Sequence, residues 1–129
     1  YPYQDLDWMI PAPAQGIVGI VCREEDTVLR KLLFELNDEK TLAAAALERA
    51  FLRALEGGCS APIGAHAHHE DGKVFLQGGL LSPNGGQKLE GSWEADEKED
   101  PVKLGKAWAA EILAQGGNEI IDQIRQEKV

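Results

Sequence analysis

The chain has 129 residues, 43% hydrophobic and 27% charged, which suits one globular domain with a short additional segment. Its 22 acidic residues against 13 basic give a net charge of −9. That balance argues against nucleic acid or an anionic membrane as partner, because either needs a lysine and arginine surface. No apolar run approaches the roughly 20 residues of a membrane span, and no signal-like leader is recognisable. The two cysteines, Cys22 and Cys59, make no disulfide framework and point to a reducing compartment, by default the cytoplasm.

The opening tract Tyr1–Trp8 has neither an initiator methionine nor the features of a targeting peptide, and reads as part of a longer protein. Met9 to Gly16 is rich in proline and small residues and predicts an extended connector. The continuous apolar run Gly16–Cys22 suits a strand buried on both faces, with Cys22 as a small core residue. Such a strand needs partners, so it is expected to pair with another copy's edge or to lie against the chain's own surface.

Asp26 predicts the N-cap of a short helix with apolar positions Leu29, Leu32, Leu33 and Leu36. Asn37 or Asp38 starts a longer helix to about Leu55, with the stripe Ala43, Leu47, Ala50, Phe51 and Ala54. Arg49 and Arg53 share one face of it, either as anion ligands or, by default, paired with Glu48 or Glu56. Gly57 suits the position just past the helix end.

Three strands follow, over Pro62–His69, Lys73–Leu81 and Lys88–Ala95, joined by turns at Asp71-Gly72 and Ser82–Gly86. The third alternates, with Leu89, Gly91, Trp93 and Ala95 on one face and Lys88, Glu90, Ser92 and Glu94 on the other, so the sheet is covered on one side. Asp100 and Pro101 start a helix with the stripe Leu104, Trp108 and Ile112. Gly116-Gly117 ends it, and a final helix carries Ile120, Ile121 and Ile124. The fold class is therefore α+β: a three-stranded antiparallel sheet with helices packed on one face, preceded by an extended N-terminal segment.

Two groups of side chains invite a chemical reading. His66, His68 and His69 cluster, and His66 and His68 share a strand face at workable ligand spacing, but a zinc site needs further ligands, and an exposed strand end and turn account for them more simply. No metal is expected. Cys59 sits on a glycine hinge, Leu55-Glu56-Gly57-Gly58-Cys59-Ser60-Ala61-Pro62-Ile63-Gly64, between a helix and a strand. A thiolate there lies at a helix C-terminus, where the backbone dipole disfavours it, and no histidine base is placed by the sequence. The residues by themselves leave four roles open for this thiol: nucleophile, metal ligand, cofactor tether and structural side chain.

Two segments carry a resemblance. Pro11-Ala12-Pro13-Ala14-Gln15-Gly16-Ile17-Val18-Gly19-Ile20-Val21-Cys22-Arg23 resembles the stretch that enters the last part of porphobilinogen deaminases, and Glu48–Leu52 with Leu55–Gly64 resembles their cofactor-attachment motif. The order of helix, meander and two helices is similar to that family's third domain. The resemblance implies an interdomain connector and orphaned strand over residues 1–25 and a cofactor-attachment domain over 26–129. It also implies that Cys59, flanked by Gly58 and Ser60, carries a dipyrromethane through a thioether, with Arg23 and Arg49 lining the interdomain cleft. In the family, four porphobilinogen units are added to that primer with loss of ammonia, and hydroxymethylbilane is released. The catalytic aspartate and the arginines that bind acetate and propionate groups belong to preceding domains, so no catalytic residue is expected here. The partners implied are those domains and the growing oligopyrrole. The 129 residues alone are expected to be inactive, with Cys59 unmodified. Pro13-Ala14 stand where the family more often has valine-glycine. The rival readings are a small α+β binding module with a structural cysteine, and a small thiol enzyme.

Overall fold

Each of the first three helices begins on an aspartate that satisfies its free N–H groups. In the computed structural model, which describes residues 1–55 and 62–127, α1 spans Thr27–Glu35, α2 Glu39–Leu55 and α3 Pro101–Ile112. Asp26 accepts from Leu29 N at 3.0 Å, Asp38 from Thr41 N at 2.8 Å, and Asp100 from Val102 N at 2.8 Å. Hydrogen bonds from the Thr41 side chain and backbone, helped by the nearby Lys40 and His69, hold the Asp38 carboxyl below its ordinary value.

Strands β1 (Ile63–Glu70), β2 (Lys73–Leu81) and β3 (Lys88–Asp96) form an antiparallel meander in the order β1-β2-β3. The β1–β2 loop is two residues, Asp71 and Gly72, at φ 48° and 76°. Positive φ at both positions matches the right-handed twist of the flanking strands, which explains the Asp-Gly pair. Register places Ala67 opposite Leu76 and Leu76 opposite Trp93. The inner face formed by Ala65, Ala67, Val74, Leu76 and Leu80 packs on Leu47, Phe51 and Leu55 of α2 and on Trp108 and Ile112 of α3. Ile120, Ile121 and Ile124 of α4 (Asn118–Glu127) complete the core.

Trp93 is half-buried at the sheet–helix boundary. Its ring stacks on Trp108 at 5.8 Å and 10°, lies tilted against Phe51 at 5.8 Å, and its Nε1 donates to Glu111 Oε2 at 2.7 Å. Helices α2 and α3 meet closely at Gly105. A Cβ there would lie 2.6 Å from the Leu47 carbonyl oxygen, 2.8 Å from the Ala50 Cβ and 2.9 Å from the Phe51 nitrogen. Between α3 and α4 the chain makes a wide turn over Leu113–Gly117, with Gly116 at φ 111° absorbing the change of direction.

The sequence reading needs correction at four places. No strand forms over residues 16–22 among the described residues: the run has no strand to pair with and faces α1 and α2 across a groove, with Val18, Ile20 and Val21 exposed. Cys22 is accordingly half-buried and free, not a core residue. Helix α1 has the predicted apolar spacing but buries none of its residues, leaving Val28, Leu32 and Phe34 exposed. On α2 the buried stripe runs through Ala44, Leu47, Glu48, Ala50, Phe51 and Leu55, so Ala44 takes the place expected for Ala43.

Candidate functional site

Gly58, Cys59 and Ser60 lie outside the described residues, as does Gly57. The frame around them is well defined. The chain enters residues 56–61 from Leu55, 1% exposed at the end of α2, and leaves them at Pro62 and the buried Ile63. Leu81 N donates to Pro62 O at 3.0 Å, fixing the exit to β2. Both flanks of the segment are thus anchored in the core.

The histidines lie elsewhere. His66 and His68 are exposed, on the face of β1 opposite the buried Ala65 and Ala67, and their rings stack at 6.1 Å. His68 also stacks on Phe75 at 5.0 Å and 12°. Among the described residues no group of three or more His, Cys, Asp or Glu is placed to hold a metal ion.

Arg49 is exposed on α2 and lines a groove of about 470 Å³ between the Ala14–Ile20 segment and helices α1 and α2. It stands six positions before Leu55, roughly 9 Å along the helix axis. Leu33, Leu36, Asp38 and Leu42 form the helical wall of this groove. Arg23 and Arg53 are exposed and do not line it. The Arg49–Glu48 pairing expected by default does not form, because neighbouring helix residues point to different faces and Glu48 is buried, 3% exposed.

Glu48 is the residue the sequence reading missed. Its Oε2 accepts from Ala14 N at 2.5 Å and its Oε1 from Ala67 N at 2.6 Å. The signal was present: Ala44, Leu47, Glu48, Phe51 and Leu55 follow helical spacing, so Glu48 stands on the apolar stripe. A carboxylate in that position has to find donors. Ala14, one of its donors, has φ 62°. That left-handed backbone gives a physical reason for the glycine expected at this position.

Among the described residues no helix is long and apolar enough to cross a membrane. A helix, α2, and a strand, β1, hold the two ends of residues 56–61, the glycine-rich segment that contains Cys59. A family model described as "Porphobilinogen deaminase, C-terminal domain" matches residues 42–114, more than half of the chain. A porphobilinogen deaminase of Staphylococcus carnosus is 36% identical over 126 residues, 97% of this chain and 40% of the relative. The corresponding figures for that of Thermus thermophilus are 42% over 124 residues, 95% and 41%; for that of Synechococcus elongatus they are 44% over 113 residues, 88% and 35%. The chain belongs to the porphobilinogen deaminase C-terminal domain family. It spans about 40% of the length of these curated relatives.

Proposed function

We propose that this chain works as the cofactor-bearing domain of a porphobilinogen deaminase (hydroxymethylbilane synthase), a cytoplasmic transferase of tetrapyrrole and heme biosynthesis. The observation that carries this reading is the family match, whose bounds, residues 42–114, include the cysteine motif. Cys59 is the anchor of a dipyrromethane held by a thioether, with Gly58 and Ser60 beside it. When bound, that group supplies the primer to which four porphobilinogen units are joined with loss of ammonia.

The residues present suit such a tether. An anchor formed once needs an accessible thiol rather than an activated one, and the helix C-terminus ahead of residues 56–61 offers no activation. Arg49 supplies a guanidinium on the nearby groove for a carboxylate-bearing ligand, and Arg23 is solvent-accessible on the connector side. The net charge of −9 is compatible with a polycarboxylate substrate only if other domains contribute the cationic surface. The partners in this reading are therefore the preceding domains and the growing oligopyrrole.

Intact-mass analysis of the complete protein tests it. A dipyrrole adduct on the peptide containing Cys59, lost together with product formation in Cys59→Ala, is the expected result. Turnover of porphobilinogen by Cys59→Ala at the wild-type rate overturns the reading. For the 129 residues alone, no turnover and an unmodified Cys59 are expected.

A further inference from the structure

Glu48 is 3% exposed and makes no ion pair with a lysine, arginine or histidine among the described residues. Each carboxylate oxygen instead accepts one short, charge-assisted bond from a backbone N–H. The two donors come from distant parts of the chain. Ala14 lies in the connector, 34 residues before Glu48, and Ala67 lies on β1, 19 residues after it. Glu48 itself is on α2, which leads into residues 56–61, while β1 leads out of them. One carboxylate therefore joins the connector to both flanks of the cysteine segment.

The connector shows that it is held there. Ala14 keeps a left-handed backbone at φ 62° despite its Cβ, and such a conformation persists only where the surroundings over-determine it. A second attachment sits beside it. Ala65 N donates to Pro11 O at 2.9 Å, and Ile10 packs so closely on β1 that a Cβ at Gly64 would lie 3.0 Å from its Cγ2.

We propose that Glu48 is a positioning residue, a clip that fixes connector residues 10–15, and with them the chain that precedes them, in register with both ends of the 56–61 segment. Its consequence for primer elongation rests on the tether reading above; the clip itself does not. Glutamine matches the shape but not the chemistry. It offers one acceptor oxygen and one NH2 group to two N–H donors, so one contact turns donor against donor. β1 is held by its pairing with β2, so the loss falls on the connector.

The test compares the complete protein with its Glu48→Gln and Glu48→Asp variants, by hydrogen exchange, intact mass and steady-state kinetics. In Glu48→Gln, exchange at the Ala14 amide is expected to rise about tenfold or more, while the β2 amides around Leu76 stay protected. The primer stays on Cys59, and kcat falls without a matching loss of cofactor loading. Unchanged exchange at Ala14, or loosened exchange with a wild-type kcat, overturns the proposal. If neither variant folds, the wild type decides: through-bond NMR couplings from the Ala14 and Ala67 amides to the Glu48 carboxyl carbon are expected, and their absence overturns it. A bare Cys59 in the wild type defeats the tether reading and leaves the exchange test standing.

Discussion

Gly105→Ala sets two effects of opposite sign against each other, and the structure decides between them. Alanine is the better helix former by about 1 kcal/mol in a helix interior. The new methyl, however, would stand 2.6 Å from a carbonyl oxygen and 2.9 Å from a backbone nitrogen of α2. Both lie below the separation real Cβ atoms tolerate, and both belong to main chain, so relief requires moving one helix against the other. Overpacking of that kind costs about 1–3 kcal/mol. The obstacles are rigid and the α2–α3 contact supports Leu47, Phe51 and Trp108, so the upper part of that range applies. Subtracting the propensity gain leaves a net loss of about 2 kcal/mol. In urea denaturation this lowers the midpoint by roughly 1 M for an m-value near 2 kcal/mol/M. An unchanged or raised midpoint refutes the close approach of α2 and α3.

Four further outcomes follow from the same geometry. Ala14→Gly relieves a backbone penalty of roughly 1–2 kcal/mol against a glycine entropy cost of roughly 0.5–1 kcal/mol. The chain should gain about 0.5–1 kcal/mol in urea, and a loss would refute the left-handed assignment at this residue. A double-mutant cycle of Trp93→Phe and Glu111→Ala should give a coupling of about 1 kcal/mol, with zero coupling refuting the indole–carboxylate bond. Asp38 has a folded-state value below its unfolded 3.8, so its stabilisation is present above 3.8 and disappears as pH falls through the lower folded value. Asp38→Asn should therefore be less stable than wild type at neutral pH, with the gap closing on acidification in pH-dependent urea melts. Arg49→Ala removes an exposed side chain and should change stability by no more than about 0.5 kcal/mol, while lowering the elongation rate of the complete protein.

The meander was legible in the sequence because its signals are local. Asp71-Gly72 fixes a two-residue turn, and the alternation from Lys88 onward fixes the faces of β3, so register follows. The caps at Asp26 and Asp100 were legible for the same reason. The residues 16–22 misled, since an apolar β-branched run carries a strand's composition but not its partner. Helix α1 misled similarly: its periodicity is real, yet nothing in a pattern says what covers the stripe. Cys59 stood out by its neighbours in sequence. Glu48 did not, because its donors are 34 and 19 residues away and only the folded chain brings them together.

The outer edge of β1 is closed by its own chain. The N–H groups of Ala65 and Ala67, which point away from β2, are taken by the Pro11 carbonyl and the Glu48 carboxylate. Those are the groups an incoming strand would need for pairing, and an open edge of this kind templates aggregation. Solubility of the sheet thus depends on residues far outside it. Trimming the first fifteen residues would free the Ala65 N–H while Glu48 still holds that of Ala67, opening part of the β1 edge to an incoming strand.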